Sequence, residues 1–316
     1  MQLLFILKDS LESGLIWSLL ALGVFISFRV LDFADLTVEG SIVLGSSVAA
    51  ALMVSTSGFL SNPFFAILTA LVAGAFVGSV TGFLNVKLKI PAILAGIISM
   101  TALYSINLLV MKGASLNPTE SITIYEPVRL LLTNVFKMTN VANITFFTKF
   151  ITNLVINGIV FFGLYYFFGT EIGLALRATG NNSKMAKAQG INTDRMIILG
   201  LAISNALIAL AGSLYVQSYK TSNMDLGRGT IVVGLASIIL GEIIFSKKTF
   251  KMWLISIILG SIIFQLIIGI VVALGVSADN LKLLQAILIA VILASPQLKV
   301  WLNNIKKKRG LRNVKN

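Results

Sequence analysis

The sequence predicts an all-α, polytopic membrane protein with about eight to ten transmembrane helices. Three observations carry that prediction. Of 316 residues, 57% are hydrophobic and only 12% charged, with a mean hydropathy of +0.94; a soluble domain needs roughly a quarter of its residues charged to cover its surface. Apolar runs of about twenty residues recur, the length that crosses a hydrocarbon core at about 1.5 Å per residue. Between them, polar and basic residues gather in short connections rather than spreading over one face of each segment.

Nine spans are drawn, at 11–30, 36–56, 63–86, 91–111, 150–168, 196–217, 229–246, 252–275 and 280–296, in a single membrane domain covering 1–316. Orientation follows from the Lys and Arg in the connections. Placing 169–195 in the cytoplasm also places there Lys87 and Lys89, then Lys247, Lys248 and Lys251, and the basic tail 297–316. The uncharged connection "STSGFLSNP" then falls outside, as does the loop 112–149, whose four bases are offset by Glu120 and Glu126. The N-terminus is outside. The first residues lack a basic n-region and a small-residue cleavage site, so no cleaved signal peptide is expected.

The formal charge of +13 resides in these loops and in the tail "KVWLNNIKKKRGLRNVKN". That distribution fits a bilayer, with the tail against anionic lipid headgroups, and not a nucleic-acid partner. There is no Cys and no His, which excludes disulfides, Cys/His zinc sites and His-based triads. No G-x-x-x-x-G-K-[ST] loop occurs, so the chain has no ATP site of that kind, and no cofactor or metal of its own is expected.

The third span carries Gly74, Gly78 and Gly82 at four-residue spacing, with Ala70 before them. Such a run makes a groove that lets another helix backbone approach closely, inside the subunit or between subunits. A second pattern repeats across the chain. "DLTVEGSIVLG" (35–45) and "DLGRGTIVVG" (225–234) share Asp-Leu and a Gly-[Ser/Thr]-Ile-Val-x-Gly core with one gap. In the drawn topology they start from opposite faces, the mark of an inverted repeat with broken helices. Polar groups inside spans are candidates for a substrate path: Thr37, Glu39, Asn107, Asn205 and Gln265. Each serves equally well as helix-to-helix glue.

The stretch "ALRATGNNSKMAKAQGINTDRM" (175–196) is polar and basic, yet rich in good helix formers. It predicts two short surface helices split at "GNN", the second capped by Ser183 and stopped by Gly190, with Thr193 or Asp194 opening the next span. A connection between neighbouring spans has no need of such length; either it is a solvated loop or a partner grips it.

These residues carry a resemblance. "GLALRATGNNSKMAKAQGINTDRMIILGLAISNALIALAGSLY" is similar to the loop and following helix of ABC importer permeases of the branched-chain amino acid and ribose-type class. There the loop reads R-A-x-G-x-N-x-x-x-A-x-x-x-G-I before a helix ending in A-G. Arg177, Ala178, Gly180, Asn182, Ala186, Gly190, Ile191, Ala211 and Gly212 supply those positions. "FRVLDFADLTVEGSIVLGSSVAAAL" resembles the family's second block, and "DLTVEGS" is closest to a sub-branch of aromatic amino acid importers and uncharacterised relatives. The resemblance implies a permease subunit paired with a second copy or a close relative, two ATP-binding subunits below it that hold ATP and magnesium, and an extracellular substrate-binding protein above it. The polar stretch would then be the coupling helix, with Arg177, Gly180, Asn182, Met185, Ala186, Gly190, Ile191, Asp194 and Arg195 at the ATPase. Few charges lie deep in the spans, and 20 Phe and 9 Met favour a smooth apolar path, which suits an amino acid with a large apolar or aromatic side chain, or else a bulkier aromatic anion. The location implied is the bacterial cytoplasmic membrane. The rival expectation is an ion-coupled secondary transporter with Glu39 and Glu242 as carriers. A membrane enzyme lacks any acid–base or nucleophilic constellation here.

Overall fold

The computed structural model describes residues 2–55, 61–119, 121–134, 140–245, 247–275, 283–291 and 294. In chain order its helices are α1 (Gln2–Phe25), α2 (Val38–Val54), α3 (Pro63–Val86), α4 (Ala92–Met111), α5 (Glu126–Asn134), α6 (Val141–Gly169), α7 (Glu171–Asn181), α8 (Ser183–Ala188), α9 (Thr193–Tyr219), α10 (Thr230–Ile244) and α11 (Phe250–Ala273). α1 continues through a π-helical turn, Ile26–Val30. Two-residue strands β1 (Ser115–Leu116) and β2 (Ser222–Asn223) pair antiparallel, with Ser115 opposite Asn223.

Seven of the described helical segments are long and apolar enough to cross a membrane, and Val38–Val54 is a shorter apolar helix. Together they fall on the first eight predicted spans. Of the ninth, residues 283–291 are described and helical; the tail 297–316 lies outside the described residues. The widest departures from the sequence expectation are at two boundaries. The first span extends back to Phe5 and the fifth begins at Val141, nine residues before the expected 150. The polar residues that read as loop instead pair with one another between these two helices. Lys8 donates to the Asn143 side chain at 2.8 Å, and Lys149 lies 3.8 Å from Glu12. Asn140 caps the extended α6 by accepting the Asn143 N–H.

α9 is the spine of the bundle. Across it lies α3, antiparallel, with Gly82 on Ile198, Gly78 on Leu201 and Gly74 on Asn205 and Ala209; a Cβ at Gly78 would collide with the Leu201 carbonyl. On a second side α2 seats Gly45 against the Ala209 backbone, while Gly212 meets the Ile42 carbonyl. α1 closes a third side, its Gly23 carbonyl accepting the Ser204 hydroxyl at 2.8 Å. Small residues are needed here because, between lipid-solvated helices, close backbone packing and such bonds replace the hydrophobic effect as the driving force. α3, α4 and α6 turn large apolar side chains outward, Phe76, Leu109 and Tyr166 among them.

The bundle has two chemically distinct ends. One gathers Arg29, Lys87, Lys89, Arg177, Lys184, Lys187, Arg195, Lys247, Lys248 and Lys251; α7 packs there with Gly180 against Val30 and Leu31. At the other end the β1–β2 pair and the segment before α5 cover the helix tips. Gln217 accepts the Ile124 N–H at 2.8 Å, and the Tyr125 hydroxyl donates to Asn153 at 3.1 Å. Burial pushes that Tyr125 hydroxyl well above the ordinary phenol range. Lys220 donates to the Ser121 carbonyl; burial pushes its ammonium below the usual lysine range, against the opposing pull of Glu126.

Candidate functional site

The two copies of the internal repeat build the centre of the molecule. After Val30 the chain turns at Asp32, in a left-handed conformation (φ 53°), and runs back into the bundle. Asp35 is fully buried. One carboxylate oxygen accepts the Thr37 N–H at 2.9 Å and the other accepts the Asn205 side-chain amide at 2.8 Å. Asn205 in turn accepts the Ser41 hydroxyl at 2.6 Å. Thr37 sits 3.0 Å from the Thr81 hydroxyl, which donates to Ser99 at 2.7 Å. A buried carboxylate is tolerable only when bonded in this way, so the start of α2 is tied to α3, α4 and α9 together.

The second copy starts at the other end. A 3-10 turn, Met224–Gly227, follows β2 and is capped by Asn223, which accepts the Leu226 N–H. Gly229 takes a left-handed conformation (φ 81°) as the N-cap of α10, a position where glycine is unstrained. α2 and α10 therefore run in opposite directions, and their N-terminal ends converge. Glu39, in the first turn of α2, accepts the Gly229 N–H at 3.0 Å. Gly227 lies so close to the Glu39 carbonyl that a Cβ would collide with it. The residue before the shared Gly-[Ser/Thr] is Glu39 in the first copy and Arg228 in the second.

Beside this junction lies a cavity of about 230 Å3, walled by Glu39, Val43, Met100, Tyr104, Asn107 and Arg228, among others. The Asn107 amide donates to the Gly40 carbonyl at 3.2 Å, securing the start of α2 to α4. Arg228 pairs with Asp225 at 2.9 Å and stays largely exposed. A second cavity, about 160 Å3, opens between α1 and α11, with Gln265, Asp9 and Ser10 in its wall. Of the five polar candidates read from the spans, Glu39 and Asn107 thus share one cavity and Gln265 lines the other. Thr37 and Asn205 line neither and bond between helices.

The stretch 169–195 forms α7 and α8 at the basic end. Thr170 caps α7, and Leu176 is fully buried beneath it. The break after α7 falls at Asn182, whose side chain accepts the Met185 N–H at 3.1 Å and so caps α8; the expected cap, Ser183, is already helical. Gly180 lies inside α7. It is there for a close approach, since a Cβ would strike the Val30 carbonyl. Gly190 (φ 84°) ends α8, and Asn192, rather than Thr193 or Asp194, caps α9 by accepting the Arg195 N–H at 3.1 Å. α8 exposes every residue except Ala186, and Met185 is 60% exposed. Ile191 is partly buried and Arg195 exposed. Lys187 lies 3.7 Å from Asp194, and the Arg177 guanidinium stacks 4.8 Å above the Phe250 ring. Glu242, nearby, accepts Arg29 at 2.8 Å, Lys247 at 2.9 Å and the Trp253 indole N–H at 3.0 Å.

Three residues central here are not among those the sequence singles out as site residues. Asp35 and Arg228 both lie in the repeat, and their signal is the shared Asp-Leu and the polar break before each Gly-[Ser/Thr] pair. Tyr104 carries no signal, being one aromatic among many apolar residues.

The comparisons with known proteins bear on the whole chain. Residues 6–293 match the family model described as branched-chain amino acid transport system, permease component. The "tyrosine transport system permease protein" of Clostridioides difficile (strain R20291) is 38% identical over 298 residues, 94% of each chain. The "probable branched-chain amino acid transport permease protein LivH" of Methanocaldococcus jannaschii is 27% identical over 74% of each chain. The "ribose import permease protein RbsC" of Escherichia coli (strain K12) is 26% identical over 66% of this chain and 60% of its own. No solved structure matches.

Proposed function

We propose that this chain, which belongs to the permease family of branched-chain amino acid transport systems and is an ABC transporter permease of a bacterial inner membrane, serves an ATP-driven importer of an aromatic amino acid. The basic end faces the cytoplasm, in keeping with its Lys and Arg. Two copies of the chain assemble side by side. Each takes one ATP-binding subunit, which carries ATP and magnesium, and an extracellular binding protein delivers substrate to the opposite end.

The observation that carries the coupling role is α8: a six-residue helix, five of whose residues are exposed, next to α7, whose Gly180 packs against Val30 and Leu31. A partner that seats on α8 and moves when ATP binds displaces α7, and with it the strap 31–37 that positions Glu39. Such switching requires the ATP-loaded partner to bind the two states of the bundle with different affinity. The tyrosine cargo named for the Clostridioides difficile relative supports an aromatic amino acid. The rival ion-coupled mechanism loses its second carrier, because Glu242 is engaged by two bases and an indole N–H.

The test is uptake of labelled L-tyrosine into proteoliposomes holding this chain, its ATPase and its binding protein. Uptake should need ATP on the ATPase side, and Met185→Asp should abolish it by placing a buried unpaired charge in the contact. Uptake driven by an ion gradient without ATPase, and indifferent to Met185→Asp, would overturn the importer reading.

A further inference from the structure

We propose that the cavity beside the Glu39–Gly229 junction is a transit site for an aromatic L-α-amino acid, with Glu39 receiving the ammonium group, Arg228 the carboxylate, and the Met100–Tyr104 wall the ring. The proposal rests on the permease reading above and names its substrate contacts.

An acid, a base and an apolar wall border this space, and most of the surface that faces it is apolar. Glu39 uses one oxygen for the Gly229 N–H, and a carboxylate has about four acceptor positions. Among the described residues, no Lys or Arg forms an ion pair with it. An acid inside a span ordinarily faces a cation or a polar path. Here the positive features at hand are the N-terminal ends of α2 and α10, each worth about half a charge. Of these, the Gly229 N–H bonds to one Glu39 oxygen, which leaves the carboxyl able to attract an ammonium.

Arg228 follows Gly227, which abuts the Glu39 backbone, so acid and base stand on adjoining walls of the same cavity. That is the arrangement a zwitterion needs. Its guanidinium has five N–H donors and is 69% exposed with Asp225 on one side, leaving donors for a second carboxylate. Met100 and Tyr104 sit one helical turn apart on α4 and share a face. A thioether and a phenol ring together make a surface that attracts an aromatic side chain. At about 230 Å3 the space is below the ~300 Å3 at which drug-sized pockets begin, and it suits one amino acid.

Glu39→Gln isolates the charge, because the amide oxygen still accepts the Gly229 N–H. In the reconstituted importer, L-tyrosine uptake by E39Q should fall about ten- to hundredfold, the loss expected from one charge-assisted bond, while the purified chain still elutes with its ATPase. Tyr104→Ala, at a half-exposed position where truncation leaves the fold intact, should lower tyrosine uptake about fivefold. Near-normal tyrosine uptake by both variants would overturn the proposal and leave the importer reading standing. Failure of E39Q to assemble, with Tyr104→Ala at wild-type rates, would reassign Glu39 to holding the helix junction and also overturn it. A wild-type complex that hydrolyses ATP yet moves no tyrosine would sink the substrate reading, and the proposal with it.

Discussion

The two copies of the repeat begin with the same Asp-Leu and end in the same Ile-Val-x-Gly, yet they are held very differently. Asp35 is fully buried and bonded to the start of its own helix and to α9 through Asn205. Asp225 is exposed and pairs with Arg228, three residues on. Further along, Thr37 continues the first network into α3 and α4, whereas the second copy joins the opposite end of the bundle through the short β1–β2 pair. Local sequence sets where each half-helix starts; the surroundings decide which start is anchored. A segment with few buried bonds opens at lower free energy, so when the strap 31–37 moves together with α2, the start of α10 is the half that yields. Glu39, which accepts the Gly229 N–H, joins the two starts.

Three substitutions sharpen or break that contrast. Asp35→Ala has the largest expected effect: it strands the Thr37 N–H and one of the two Asn205 amide N–H groups, the other keeping the Leu201 carbonyl; each stranded group is worth about 1–3 kcal/mol when buried without a partner. The detergent-solubilised chain should show a markedly lower Tm or fail to accumulate. Gly229→Ala comes next. Its Cβ would meet open space, so the loss is confined to the left-handed backbone, about 1 kcal/mol, read as a small drop in Tm. Asp225→Ala is the smallest, below about 0.5 kcal/mol, as for most exposed ion pairs. If Asp225→Ala destabilises as much as Asp35→Ala, both half-helices are equally anchored and the start of α10 has no special freedom.

Hydropathy placed the spans well because a bilayer demands long apolar runs whatever their neighbours. It misplaced the start of α6 because Lys149 and Asn143 find partners on α1, and no single segment reveals its partner. Among the intramembrane polar residues, a rule based on type alone could not separate Asn107, at a cavity wall, from Asn205, enclosed between helices. Which way a side chain faces depends on helix rotation, which a nearly uniform apolar sequence does not encode. Arg228 escaped notice because it lies at the edge of an apolar run, where a base reads as loop. The helix stop at Gly190 and the polar break near Asn182 were legible, but the caps slipped by a residue because Asn, Ser, Thr and Asp compete for that position with nearly equal propensity.

The most direct measurement follows from the absence of cysteine in the chain. A single Met185→Cys offers one thiol on α8, and Tyr166→Cys offers another on the outward apolar face of α6, 78% exposed. If α8 is the coupling surface, assembly with the ATPase should protect the thiol at 185 from a water-soluble maleimide, and a short bifunctional reagent should cross-link it to the ATPase in a manner that changes with ATP. The thiol at 166 should form no such cross-link. A thiol at 185 that labels as fast in the assembled complex as in the free chain, with no cross-link in either nucleotide state, would contradict the coupling role of α8.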